Sequence, residues 1–251
     1  MTMHHRSDGP AGAPALMLSC SLGTDLGLWD PQVPALARRF RVVRYDTRGH
    51  GASPVTPGPY DVALLARDAL ALLDELGIAQ ADFCGLSLGG QVGLWLAVHA
   101  PQRLRRLVVA NTGPRIGTVD AWNARFAAVR RGGVAAVADG AVARWFTPEF
   151  RARAPAEVDR LRRMLLATPA EGYVGACAAV RDLDLRDAVA GIRVPTLVVT
   201  GSADVATSPA DAHALAGAIP GARCVELPAA HLSNIEAPAE FTDAVIEFLT
   251  A

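Results

Sequence analysis

The chain has 251 residues, of which 51% are hydrophobic and 20% charged, and its formal net charge is −1. This balance is typical of a globular protein and disfavours nucleic-acid binding or disorder. The length suits one α/β domain with a small insertion. The four cysteines show neither a disulfide nor a metal-ligand spacing, and no leader or membrane span is recognisable, so we expect a cytoplasmic location and no membrane partner.

Short apolar runs bounded by glycine and proline predict buried strands. The runs are Ala15–Cys20, Arg41–Tyr45, Ala81–Cys84, Leu107–Ala110, Thr196–Thr200 and Arg223–Leu227. Segments with helical periodicity lie between most of them, for example Val62–Leu76 and Gln91–His99. Strands that alternate with helices predict an α/β fold, with a mostly parallel twisted sheet flanked by helices.

The alternation of strands and helices stops after Asn111. From Val119 to Asp187 the sequence is rich in alanine and arginine and has a helical pattern without a convincing strand. An all-helical block between two strands of a parallel sheet predicts a cap over the carboxyl ends of the strands, where such sheets bind ligands. We therefore divide the chain into an α/β core of residues 1–117 and 188–251 and an inserted helical cap of residues 118–187.

The strongest local motif is Gly85-Leu86-Ser87-Leu88-Gly89, which follows a predicted strand and precedes a predicted helix. It matches the G-x-S-x-G pattern of a nucleophile elbow, in which the glycines let a strand turn sharply into a helix. The serine hydroxyl then projects from the end of the sheet, close to N–H groups at the start of the helix. Ser87 is therefore the candidate nucleophile.

A serine hydroxyl is a weak nucleophile, so it needs a histidine base and an acid that fixes the histidine tautomer. His231 is the candidate base because it lies in the loop between the last strand and the last helix, whereas His213 lies within a helix. Asp204 is the candidate acid because it follows the strand that ends at Thr200. The competing acids lie in the helical block, at its exit or before the nucleophile: Asp182, Asp184, Asp187, Asp74 and Asp82.

An oxyanion intermediate needs two N–H donors. The N–H of Leu88 is one candidate, by its position after the nucleophile, and the N–H of Leu22 is the other, because Ser21–Thr24 forms a glycine-containing turn after the first predicted strand. The glycines and charged residues of Asp46–Ser53 suit a tight loop that braces the site, so we interpret His50 as structural rather than as a direct participant.

With these residues assembled, the chain resembles the 3-oxoadipate enol-lactonases of the α/β-hydrolase superfamily over nearly its full length. The segments that carry the resemblance beyond the elbow are Ser21-Leu22-Gly23-Thr24-Asp25, Trp29-Asp30, Tyr45–Gly51, Arg115–Thr118, Arg144–Pro148, Arg181–Arg186 and Ala230–Asn234. The resemblance implies hydrolysis of 3-oxoadipate enol-lactone to 3-oxoadipate, a step of aromatic breakdown in bacteria, without a metal or organic cofactor. Cys20 stands where the family usually has asparagine.

The implied substrate is a small lactone that carries a carboxylate, which an apolar pocket must hold through a charge-assisted contact or leave at its mouth. Arg115 is a candidate partner for this carboxylate. Trp122 and Trp145 are candidate walls of the cap, or else core anchors of the helical block. Other carboxylesterase, lactonase or perhydrolase activity remains open, since fold and triad do not fix the substrate, as does a non-catalytic protein that binds a small ligand.

Overall fold

The sheet is the centre of the protein. The structure is a computed structural model that describes residues 1–251, and its seven strands form one sheet in the order β1-β3-β2-β4-β5-β6-β7. The strands are β1 His5–Asp8, β2 Ala15–Ser19, β3 Arg41–Tyr45, β4 Ala81–Leu86, β5 Leu104–Ala110, β6 Thr196–Gly201 and β7 Arg223–Leu227. All neighbouring pairs are parallel except β1 with β3. The predicted mostly parallel sheet is confirmed.

Two differences from the predicted strands arise because charged residues hide the strand signal. Strand β1 reads His-Arg-Ser-Asp and was not predicted; it is an antiparallel edge strand that pairs only with β3 and needs no apolar run. Strand β5 begins at Leu104 rather than Leu107. Arg105 in this extension forms an ion pair with the buried Asp82 of β4, which accommodates its charge within the sheet.

Six helices flank the sheet or connect its strands. They are α1 Val33–Leu36, α2 Val62–Glu75, α3 Leu88–His99, α9 Pro209–Ala218, α10 Ser233–Glu236 and α11 Pro238–Thr250. One side of α2 and most of α3 are buried. Their apolar residues belong to the hydrophobic core, which also contains the apolar residues of the central strands. Because β2, β4, β5, β6 and β7 are parallel, their carboxyl ends lie at one edge of the sheet.

Five further α-helices and no strand lie between β5 and β6. They are α4 Val119–Gly132, α5 Ala135–Trp145, α6 Pro148–Arg153, α7 Pro155–Ala167 and α8 Ala170–Asp182. This insertion is attached to the core beside the candidate base, because the N–H of Leu232 donates to the carbonyl of Trp145 at 3.0 Å. The helical character of the segment agrees with the sequence pattern, while the boundaries 118–187 of the cap stay a prediction.

All four cysteines are free; Cys84 is buried in β4 and Cys224 is half-buried in β7. None of the helices combines the length and the apolar character that a membrane crossing requires.

Candidate active site

Ser87 lies in the sharp turn between β4 and α3. Its φ of 56° falls in the left-handed region, which is strained for a residue other than glycine. The turn depends on the glycines around it: a Cβ on Gly85 would lie 2.1 Å from the carbonyl oxygen of Gly89, and a Cβ on Gly89 would lie 2.2 Å from that of Ser19. The sequence therefore packs α3 against β2 and β4 so closely that Ser87 is held at the end of the sheet.

His231 and Asp204 follow neighbouring strands. Asp204 comes three residues after β6, and His231 comes four residues after β7. The Nδ1 of His231 donates to Oδ2 of Asp204 at 2.8 Å, and both side chains are buried. With Nδ1 protonated in this way, the lone pair of the imidazole is on Nε2. The structure thus brings together the predicted base and acid.

The carboxylate of Asp204 accepts five hydrogen bonds. Oδ2 accepts from His231, from Nδ2 of Asn111 at 2.9 Å and from Oγ1 of Thr207 at 2.7 Å. Oδ1 accepts from the N–H groups of Ala206 and Thr207 at 2.7 and 3.1 Å. Burial alone would raise the pKa of Asp204, but the charge and hydrogen bond of His231, with the donors of Asn111 and Thr207, hold it well below its ordinary value. Asp204 therefore stays ionised at neutral pH.

Asn111 is a residue of the site that the sequence analysis did not identify. It follows β5, between the strands that carry Ser87 and Asp204, and it is fully buried with a φ of 47°. Its amide donates to Asp204 and to the carbonyl of Ala230 at 3.3 Å, and its Oδ1 accepts from Ser233 at 2.5 Å. One side chain thus links the acid to the loop of His231. An asparagine directly after a predicted strand was the available signal, because asparagine tolerates left-handed backbone.

Removing the amide of Asn111 is expected to lower kcat about tenfold, because a hydrogen bond to a charged group contributes about 1.5 kcal/mol or more. Asn111→Gly and Asn111→Ala should share this loss. The alanine variant should also have a free energy of unfolding about 1 kcal/mol lower than the glycine variant, because alanine is strained at a positive φ. Steady-state kinetics and urea unfolding measure the two effects. Equal kcat for both variants and the wild type would contradict the assigned role.

The Ser21–Thr24 turn lies next to the elbow because β2 pairs with β4 in a register that aligns Ser19 with Gly85. The N–H of Leu22 has no acceptor within the protein. Leu88 is the first residue of α3, where an N–H has no partner inside the helix. Both predicted oxyanion donors therefore have unused N–H groups, and they belong to segments that follow adjacent strands.

A cavity of about 340 Å³ opens at this edge of the sheet, and Ser87, His231 and Leu22 line it. Trp122 and Trp145 of the inserted helices lie in its wall, as do two arginines that were not predicted to be site residues, Arg125 and Arg144. A larger depression of about 910 Å³ lies between α4 and α8 and contains none of the candidate catalytic residues.

Arg115, the predicted partner for the substrate carboxylate, is not one of the residues that line this cavity. Its guanidinium is 3.6 Å from the carboxylate of Asp184, and the side chain is 40% exposed. The backbone turns after Arg115, so its neighbours Ile116 and Gly117 line the cavity instead. The position of Arg115 soon after β5 suggested a place in the cavity. The side chain instead lies beside Asp184, which follows the last inserted helix.

The competing residues lie away from the cavity or have other partners. His213 is on an exposed face of α9 and is 3.3 Å from Glu226. Asp182 and Asp184 are exposed and pair with arginines, and Asp187 is exposed as well. No group of three or more histidine, cysteine or acidic side chains has an arrangement that would hold a metal ion.

Comparisons with known proteins agree with this architecture. A family model described as alpha/beta hydrolase fold matches residues 14–238. The chain is 42% identical over 245 residues to 3-oxoadipate enol-lactonase 2 of Acinetobacter baylyi, which covers 98% of this chain and 92% of that protein. The solved enol-lactonase of Burkholderia xenovorans is 47% identical with a TM-score of 0.98, over 99% of this chain and 96% of that chain. A solved hydrolase of Pseudomonas aeruginosa is 52% identical with a TM-score of 0.96, over 98% and 94%.

Proposed function

The chain belongs to the 3-oxoadipate enol-lactonases of the α/β-hydrolase superfamily, and on this basis we propose that it hydrolyses 3-oxoadipate enol-lactone to 3-oxoadipate through an acyl-enzyme. The observation that carries the proposal is that Ser87 and His231 line one cavity, while His231 is oriented by an ionised, fully hydrogen-bonded Asp204. A nucleophile, a base and an acid with these environments are what ester hydrolysis requires.

In the proposed first step, Oγ of Ser87 attacks the lactone carbonyl while Nε2 of His231 takes the hydroxyl proton. The N–H groups of Leu22 and Leu88 stabilise the negative oxygen that forms. The ring C–O bond then breaks, the leaving enolate receives the proton from His231, and the enol becomes a ketone. Water loses a proton to His231 and attacks the acyl group, the bond from Ser87 to the acyl carbon breaks, and Ser87 regains its proton.

The test of the substrate is a comparison of kcat/KM for the enol-lactone, followed by the loss of its ultraviolet absorbance, with kcat/KM for p-nitrophenyl acetate. We expect the enol-lactone to be the better substrate by at least about a hundredfold, which corresponds to about 2.7 kcal/mol of added transition-state binding. A higher kcat/KM for the simple ester would reject the lactone and favour a general carboxylesterase. Binding of the lactone without turnover would reject catalysis and favour a ligand-binding protein.

Arg125 and Arg144 are the proposed partners for the carboxylate of the substrate. Arg144 makes no hydrogen bond or ion pair within the protein, and burial together with the charge of Arg125 lowers its pKa. The guanidinium of Arg125 lies over the ring of Trp122, 4.8 Å from its centroid, and its only polar side-chain contact is the hydroxyl of Tyr173 at 3.5 Å. The residues that line the cavity include no aspartate or glutamate. Two unpaired cations in a partly apolar cavity support recognition of an anion.

Replacing either arginine by glutamine is expected to raise the KM for the enol-lactone about tenfold or more, since a hydrogen bond to a charged group contributes about 1.5–3 kcal/mol. Turnover of the neutral p-nitrophenyl acetate should stay within about twofold of the wild type. Arg115→Gln is the matched control, because Arg115 pairs with Asp184 outside the cavity. This variant should change neither the KM for the enol-lactone nor the turnover of p-nitrophenyl acetate. Equal losses on the charged and neutral substrates would remove Arg125 and Arg144 from substrate recognition.

A further inference from the structure

His50 is a fully buried histidine that the proposed mechanism does not use. It lies in the loop Asp46–Ser53 that follows β3, and its Nε2 accepts the N–H of Gly23 at 3.0 Å. Its Nδ1 is 3.2 Å from the carbonyl oxygen of Arg48 and donates to it. Burial lowers the pKa of His50 to about 4, although the bond to the Arg48 carbonyl and the charge of Asp46 act in the opposite direction. His50 is therefore neutral at neutral pH, with its lone pair facing Gly23.

The N–H that His50 binds is the central amide of the Ser21–Thr24 turn. The N–H of Thr24 donates to the carbonyl of Ser21 at 3.2 Å, and Gly23 has a φ of 78°. A positive φ at the third position is the signature of a type II turn. In the alternative type I turn the central peptide is turned over, so the carbonyl of Leu22 would point where the N–H of Gly23 now points. That arrangement would place a carbonyl oxygen against the lone pair of His50, so the neutral imidazole favours the type II form.

Leu22 is flanked by two fixed peptide planes. The plane that contains its own N–H also contains the carbonyl of Ser21, which accepts from the N–H of Thr24 and from its hydroxyl at 2.8 Å. The plane that contains its carbonyl also contains the N–H bound by His50. Gly23 packs closely against the inserted helices, because a Cβ there would lie 2.4 Å from a terminal methyl group of Leu165. The hydrogen bonds of the peptide planes before and after Leu22 therefore fix the direction of its unused N–H.

We infer that His50 is a positioning residue for catalysis, whose Nε2 holds the Ser21–Thr24 turn in the form that aims the N–H of Leu22 at the oxyanion. This inference rests on the proposed function of the site, since it assigns Leu22 as an oxyanion donor. His50 acts only through Gly23 and Leu22. It should therefore stabilise the transition state, in which the oxyanion forms, and have little effect on substrate binding. An oxyanion donor that is present but misaligned stabilises the intermediate less.

The experiment compares His50→Leu, which has no acceptor, with His50→Gln, whose side-chain oxygen can accept the N–H of Gly23. We expect the leucine variant to lose kcat about tenfold or more with KM within about threefold, because deletion of a whole donor costs about 10²–10³ in kcat. The glutamine variant should recover most of this loss. Inhibition by phenylboronic acid, which forms a tetrahedral anion on the nucleophile, should weaken by the same factor as kcat in His50→Leu, while inhibition by 3-oxoadipate should not change.

Asp46→Asn is the matched control. Asp46 is buried in the same loop and binds the N–H of Leu26 at 2.7 Å, beyond the turn. This variant should lose stability to heat but keep kcat and boronic acid inhibition within about twofold of the wild type. If His50→Leu does not fold, His50→Asn replaces it, because its shorter side chain stays polar but cannot reach Gly23. The same loss of kcat is expected.

The inference is overturned if the folded His50 variant without an acceptor keeps wild-type kcat, or if kcat and the two inhibition constants change together. Every variant is assayed on p-nitrophenyl acetate as well as on the enol-lactone. A wild type that turns over the ester but not the lactone would reject the proposed substrate while leaving the effect of His50 measurable.

Discussion

Ser87→Ala is expected to lower kcat for the lactone by at least about 10⁴-fold, because the change removes the nucleophile that forms the acyl-enzyme in the proposed mechanism. The change removes one oxygen atom from a side chain that is 9% exposed. It leaves the φ of 56° in place, so the free energy of unfolding should hardly change. Steady-state kinetics on the enol-lactone measure the loss, with the melting temperature as a check of folding.

Ser87→Gly provides the matched comparison. Glycine adopts a positive φ without a steric penalty, so this variant should be as inactive as Ser87→Ala but more stable than it by about 1 kcal/mol. The pair thus separates the chemistry of the hydroxyl from the strain of the turn. Residual activity within about tenfold of the wild type in either variant would mean that the acyl-enzyme forms elsewhere or not at all.

The sequence predicted the parts of the site that depend on local chain geometry. The elbow around Ser87 needs glycines at fixed spacing, and the loops that hold Asp204 and His231 follow apolar strands with clear ends. Because the carboxyl ends of parallel strands meet at one edge, knowledge of the strands alone is enough to place these three residues at that edge of the sheet. The family resemblance, now confirmed by the comparisons, rests on the elbow and the His231 loop together with other segments, some of which lie in the inserted helices.

The parts that were missed depend on how distant segments are oriented. The inserted helices are rich in arginine, and their helical pattern alone does not show that Arg125 and Arg144 line the cavity while other arginines face solvent. Arg144 belongs to a segment that carries the family resemblance, but that resemblance assigned it no role. Only the packing of α4 and α5 over the sheet decides which side of each helix is inside. Asn111 was missed for a related reason. The residues to which its side chain donates, Asp204 and Ala230, are 93 and 119 positions away in the sequence.

Asp204→Asn is expected to lower kcat about 10³–10⁴-fold, through the tautomer of His231 rather than through a loss of contacts. The side-chain NH₂ of the asparagine cannot lie at the Oδ1 position, because two backbone N–H groups, of Ala206 and Thr207, point at that atom. It must therefore occupy the Oδ2 position and donate to Nδ1 of His231. The proton of the imidazole then moves to Nε2, which loses the lone pair that deprotonates Ser87.

In Asp204→Asn the hydroxyl of Thr207 can rotate and accept a hydrogen bond from the new NH₂ group. The side-chain NH₂ of Asn111 cannot accept, so it would face the new NH₂ group and lose its acceptor. We therefore expect a lower free energy of unfolding by about 1–3 kcal/mol beside the loss of kcat. Asp184→Asn is the control, since Asp184 is exposed and pairs with Arg186 at the surface; its kcat should match the wild type. The nitrogen resonances of His231 in an NMR spectrum report the tautomer, and a proton that remains on Nδ1 in Asp204→Asn would contradict this explanation even if activity were lost.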